Sequence, residues 1–328
     1  MNLITIIGIF VGFVITYGLV VLSMPRLIDY LHAIKFGQTE RHEENFLETH
    51  IKKNGTPTMG GMAFIIAPIL VYIILCLARL AVMDFHVVVV MLAFAGYGLI
   101  GFIDDYIIVV KKDNTGLKPA YKFAMQSVLA VVFYALYSQN MDTTLFIPVI
   151  NAYIPIGILY FVLIFIMFTA ESNAVNITDG VDGLCAGLMC IALIPFLVFA
   201  LVQQTMSIVV FICCVEAALL GYLKFNKYPA KIFMGDTGSL ALGGLIAAIA
   251  MILKQEILLV LIGGVFVAEV LSTMIQVTYY RKTGKRFFKM APLHHHFEKS
   301  GWSEIKVVKT FYLVGAILAA LGLMLGVM

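Results

Sequence analysis

Charge is what this 328-residue sequence has least of: 12% of its residues are Asp, Glu, Lys or Arg, whereas 62% are hydrophobic. Soluble domains carry roughly 25% charged and 45–50% apolar residues, so most of this chain is not built for water. The shortage excludes a disordered chain, and a formal charge of only +3 gives no reason to expect a nucleic-acid partner. The five cysteines, Cys76, Cys185, Cys190, Cys213 and Cys214, sit in apolar stretches without metal-type spacing, which excludes a disulfide scaffold and leaves them as small core hydrophobes. No Lys or Arg precedes the first apolar run and no small-residue cleavage site follows it, so that run reads as a retained helix rather than a signal peptide. The single tryptophan, Trp302, is expected at a membrane interface. No internal repeat stands out, which weakens the case for an inverted-repeat transporter.

What the chain has in abundance is long apolar runs. Ten windows are suited to crossing a bilayer: 3–22, 60–78, 87–103, 123–137, 154–170, 184–202, 206–223, 240–253, 257–279 and 307–327. Ten spans place both termini on one side and the connections 23–59, 104–122, 171–183, 224–239 and 280–306 on the other. Extended to Lys309, those connections hold 20 of the 22 Lys and Arg, with only Arg79 and Lys254 opposite. Basic residues accumulate in cytoplasmic loops, so these connections are expected on the cytoplasmic side and both termini outside. The expected class is an all-α polytopic membrane protein, with residues 1–328 forming one transmembrane domain. Residues 144–155, strand-like around an Asn-Ala turn, predict a small β-hairpin on the outer side.

Polar residues at span ends need a reason in so apolar a chain, because ionisable groups within a membrane are costly and usually functional. The third span ends in Gly101-Phe-Ile-Asp104-Asp105-Tyr, a carboxylate pair that would be relieved by a cation such as Mg²⁺. The following basic loop offers Lys118 and Lys122 to anionic oxygens. The fifth span runs into Glu171-Ser-Asn173-Ala-Val-Asn176-Ile-Thr-Asp179-Gly180-Val-Asp182-Gly183, whose polar groups recur every three residues, as along one side of a helix. Gly235-Asp236-Thr-Gly-Ser239, leading into an apolar run, has the form of a helix N-terminal cradle for an anion or metal, with Asp236 as ligand or cap. The last connection holds Pro292-Leu-His294-His295-His296-Phe-Glu298. Three consecutive imidazoles point different ways and suit phosphate binding or acid–base work better than a shared metal. Glu216 and Glu269, in mid-span, are read as packing residues. Carboxylates from three loops beside basic loops and a His cluster describe a Mg²⁺ site for phosphate chemistry, where a nucleotide-linked donor from water could meet a lipid acceptor.

These motifs, with Thr56-Pro-Thr-Met-Gly-Gly61 and Asn226 to Phe233, are similar to those of the polyprenyl-phosphate N-acetylhexosamine-1-phosphate transferase superfamily, over essentially the whole chain. The Pro-Leu-His-His-His-Phe-Glu and Thr-Pro-Thr-Met-Gly-Gly stretches resemble its muramoyl-pentapeptide branch. That resemblance implies transfer of phospho-MurNAc-pentapeptide from UDP-MurNAc-pentapeptide to undecaprenyl phosphate, giving lipid I and UMP for peptidoglycan, in the bacterial cytoplasmic membrane and in contact with membrane lipids. It implies Asp104, Asp105, Asp236, His294 and His295 as catalytic residues, with Mg²⁺ held by Asp236 and Asp105. It further implies that Lys53, Asn173, Asn176, Asp179, Gly180, Asp182, Asn226, Phe233 and His296 bind substrate, Phe233 by stacking on uracil. The alternatives are a transferase using UDP-N-acetylglucosamine and, in another class, an ion-coupled transporter. A direct displacement and a two-step route through an Asp are both compatible with this residue set, as is a homodimer.

Overall fold

The structure, a computed structural model, describes residues 2–34, 55–111 and 116–327. Lys53, expected to bind substrate, lies outside them. In an apolar solvent a backbone satisfies its own N–H and C=O groups only as a helix or a closed barrel, and this chain takes the helical solution. In chain order the helices are α1 (Leu3–Ala33), α2 (Gly61–Leu77), α3 (Phe85–Lys111), α4 (Pro119–Asn140), α5 (Leu159–Thr178), α6 (Leu184–Val202), α7 (Met206–Asn226), α8 (Gly235–Ile252), α9 (Glu256–Ile262), α10 (Gly264–Thr283), α11 (Leu293–Glu298) and α12 (Glu304–Val327). Among the described residues eight are long and apolar enough to cross a membrane, or nine if the bent pair α9 and α10 counts as one span; α2, at 17 residues, is shorter. The chain is thus an all-α polytopic membrane protein, and each of the ten windows holds a helix.

Two details differ from the sequence reading. The window 257–279 is not one straight span: α9 and α10 meet at a 77° bend at Gly263, where two consecutive glycines leave the helix weakest. The window beginning at 154 yields its first residues to the hairpin, so α5 starts at Leu159. That hairpin pairs β1 (Thr144–Ile147) with β2 (Ala152–Pro155), Thr144 opposite Pro155 and Ile147 opposite Ala152. Asn151 turns the chain in the left-handed region at φ 46°. Lys254 secures it, its Nζ donating to the carbonyls of Asp142 and Thr144 while lying 4.7 Å above the Tyr160 ring. Lys254 and the hairpin therefore share one end of the molecule.

The opposite end is held together by contacts between the five basic or polar connections. Phe233 N–H donates to Pro57 O and Gly60 N–H to Phe233 O, each at 2.8 Å. Gly183 N–H donates to Asn226 Oδ1 at 3.1 Å, and Asp182 accepts from Ala230 N–H at 2.8 Å. Glu304 at the start of α12 accepts from Asp182 N–H at 2.9 Å. At the centre stands α8, packed against α2, α3 and α5 and 94% buried over its 18-residue window. A helix apolar or small on every side is what burial among other helices requires. Its N-terminus opens into the cluster of connections.

Candidate active site

The first turn of a helix leaves backbone N–H groups without partners, and at α8 the residue before the helix, Met234, supplies no side-chain cap. Asp105 supplies it from α3. Its Oδ1 accepts Asp236 N–H at 3.1 Å, and its Oδ2 accepts Thr237 N–H at 2.9 Å and the Thr237 hydroxyl at 2.6 Å. A carboxylate at a helix N-terminus also meets the positive end of the macrodipole. Because α3 continues to Lys111 rather than ending at the acid pair, Asp104 is a mid-helix neighbour turned about 100° away. Asp104 Oδ1 accepts Leu117 N–H at 2.6 Å, and its Oδ2 lies 3.1 Å from Lys122 Nζ. The pair expected to face a single cation thus serves two different partners.

Asp236 joins the two halves. Lys122 Nζ bridges it to Asp104, and Asn176 Nδ2 lies 2.8 Å from both Asp236 Oδ1 and Ser239 Oγ. The Asp236 side chain is 25% exposed against 6% for Asp104, so Asp236 is the carboxylate of the two that a ligand can reach. Two carboxylates share one ammonium, which leaves surplus negative charge. This proximity requires glycine at 101, where an added Cβ would stand 2.0 Å from Asp236 O. Gly101→Val is expected to push α8 off α3 and cost about 3 kcal/mol, seen as a lower unfolding temperature in detergent together with lost turnover; a variant as stable and active as the parent would contradict the packing.

The other residues singled out in sequence divide into two groups. Asn173 is near the cluster, donating to Gln126 Oε1 at 3.3 Å and Thr169 O at 2.7 Å. Lys118 is exposed where α4 begins, whereas Lys122, one turn on, is in the ion pair. The three-residue repeat does not continue on one helix: α5 stops at Thr178, so Asp179 and Asp182 leave the face that carries Asn173 and Asn176. Asp182 and Asn226 are buried and clamp loops together through the bonds given above. Phe233 is half-buried, with its backbone tied to residues 57–60. Thr237 and Ser239 stood in the quoted Gly-Asp-Thr-Gly-Ser motif without a role; each places a hydroxyl on an acid or amide of the cluster.

The three histidines have separate partners. His294 is fully buried, with Nδ1 3.2 Å from Glu269 Oε1. His295 Nδ1 is 2.8 Å from Glu298 Oε2, and His296 Nδ1 accepts Lys289 N–H at 3.1 Å. The residues 176–180 link this group to the carboxylates, since Asn176 touches Asp236 and Gly180 packs against the His294 ring.

Among the described residues no three or more His, Cys, Asp and Glu converge into a self-sufficient metal site. Asp104 Oδ2 and Asp236 Oδ2 nevertheless approach one position, now taken by Lys122 Nζ. Two carboxylates of this kind fit a hard divalent cation that completes its shell with water and substrate phosphate. Asp105, expected as a ligand, instead has both oxygens engaged at the start of α8.

Residues 86–254 match the model of glycosyl transferase family 4. A phospho-N-acetylmuramoyl-pentapeptide-transferase of Bacillus cytotoxicus is 47% identical over 321 residues, covering 96% of this chain and 98% of the relative. The proteins of that name from Bacillus mycoides and Bacillus thuringiensis match with the same identity and coverage.

Proposed function

Because the chain belongs to glycosyl transferase family 4, in the phospho-N-acetylmuramoyl-pentapeptide-transferase branch, we propose that it transfers phospho-MurNAc-pentapeptide from its UDP carrier to undecaprenyl phosphate, releasing UMP. The whole chain acts as one transferase unit in the bacterial cytoplasmic membrane, its site on the cytoplasmic side. The observation that carries this reading is the convergence of Asp104, Asp236, Lys122 and Asn176 at the N-terminus of α8. A lysine suits the phosphate oxygens of a pyrophosphate, and an accessible acid suits the divalent cation that would accompany it.

In this reading Lys122, released from its carboxylates, binds phosphate oxygens, and Asn176 keeps Asp236 oriented. Asp105 fixes the first turn of α8, and with it the position of Asp236. Mg²⁺, held by Asp236 with Asp104, would supply charge neutralisation of the donor pyrophosphate. Phe233, Asp179 and Lys53 belong to the nucleotide end, and His294 and His295 to the phosphate and sugar end. An oxygen of undecaprenyl phosphate forms the new bond to the phosphorus that bears the sugar. The bond between that phosphorus and the bridging oxygen breaks, and UMP carries the electron pair away. Positioning and electrostatics supply most of such catalysis. A direct displacement needs no enzyme nucleophile, since a phosphate monoester dianion is itself nucleophilic at neutral pH, and Asp105, with both oxygens bonded at the start of α8, offers no free oxygen to a covalent route.

Two assays test the reading. Purified protein should release UMP from UDP-MurNAc-pentapeptide but not from UDP-N-acetylglucosamine when undecaprenyl phosphate is present; the opposite preference would move it to the other branch. With the acceptor left out, labelled UMP should not exchange into the donor, and exchange would replace the direct route with a covalent one.

A further inference from the structure

Glu269 lies in α10, in the middle of an apolar segment, and nothing in the reading above uses it. Its side chain is completely buried. Packing alone would favour a hydrophobic residue there, because an ionisable group removed from water is costly unless it is paired. Its Oε1 accepts the backbone N–H of His294 at 3.2 Å and stands 3.2 Å from that residue's Nδ1. The ring contact is at ion-pair distance but off the line of a formed hydrogen bond, as catalytic contacts commonly are before substrate tightens them. Glu269 Oε2 has no hydrogen-bond partner among the described residues. The other ring nitrogen of His294, Nε2, also has none and faces Gly180, where an added Cβ would come within 2.3 Å of it. The missing side chain at 180 gives that buried nitrogen its room beside the loop that continues from Asn176.

We propose that Glu269 is a positioning residue that acts through His294, holding the imidazole with Nδ1 toward the carboxylate and Nε2 toward Gly180 and the loop that continues from Asn176. The hydrogen bond made by one imidazole nitrogen decides the proton at the other, and a third group that orients a base recurs in nucleophile–base systems. Beside the ring lies His295, whose ring centroid is 4.2 Å away and whose Nδ1 meets Glu298. Glu269 contacts both the ring and the backbone of His294.

The inference rests on the functional reading of His294, and the experiment separates the two. Turnover and KM for UDP-MurNAc-pentapeptide are measured for the parent, His294→Asn, Glu269→Gln, Glu269→Asp and the double variant His294→Asn with Glu269→Gln. Glu269→Gln keeps an acceptor for the backbone N–H but no charge. It should lower kcat about 10- to 100-fold and leave KM within about threefold. Glu269→Asp, which keeps the carboxylate, should recover most of the lost kcat. Glu269→Gln should have no further effect in the His294→Asn background. Full activity of His294→Asn would overturn both the role of His294 and this inference. An impaired His294→Asn beside a parental kcat in Glu269→Gln, or additive losses in the double variant, would overturn the inference alone.

Discussion

Asp236→Asn is expected to lower turnover about a thousandfold or more, on the scale seen when a group facing developing charge is removed from an electrostatic site. The amide has the same shape, keeps one acceptor oxygen for Asn176, and leaves its backbone bonded to Asp105, so the fold and the start of α8 should persist. What it loses is the charge of the most accessible carboxylate in the cluster, and with it a hard anionic oxygen for a divalent cation. An unchanged unfolding temperature in detergent beside the lost turnover would place the effect in the chemistry. A fall in stability that tracks the fall in activity would make Asp236 a structural acid.

Asp105→Ala should damage the protein in a different way. Three donors, Asp236 N–H, Thr237 N–H and the Thr237 hydroxyl, lose their acceptor in a buried place. Loss of a helix cap costs about 0.5–2 kcal/mol and leaving buried partners unsatisfied adds to that, so a loss of about 3 kcal/mol is expected. Activity should fall at least about a hundredfold because Asp236 is the residue whose backbone Asp105 holds. Asp105→Asn, which keeps one acceptor oxygen, should recover part of the stability. Comparing unfolding temperatures and turnover of the two variants checks this, and a stable but inactive Asp105→Ala would instead return Asp105 to the metal.

How much of this was legible in the sequence follows from the physics of each feature. Apolar run length and the placement of Lys and Arg describe a solvent, and a solvent acts on every residue, so the helices and the grouping of the connections followed from them. Gly-Asp-Thr-Gly-Ser marked a helix N-terminus because capping is local. The adjacent acids Asp104 and Asp105 could not be separated in sequence, since their divergence depends on α3 running on past them to Lys111. Lys118 and Lys122 looked equivalent until Pro119 began α4 and turned only the second toward the acids. The bend at Gly263 had a local signal in the glycine pair Gly263-Gly264, whereas the pairing of Glu269 with His294 is tertiary and joins segments whose spacing along the chain carries no signal. Asp182 and Asn226 show the reverse case, in which polar residues of the quoted motifs join loops to one another.

The central claim is that the acids at the start of α8 form a metal-assisted phosphoryl-transfer centre. The most direct test is a Mg²⁺ titration of UMP release from UDP-MurNAc-pentapeptide and undecaprenyl phosphate, run on the parent and Asp236→Asn after chelator treatment. The account predicts that the parent releases almost no UMP without metal and rises to saturation with it, while Asp236→Asn stays low at every concentration. Full release in chelator, or parental release by Asp236→Asn, would contradict it.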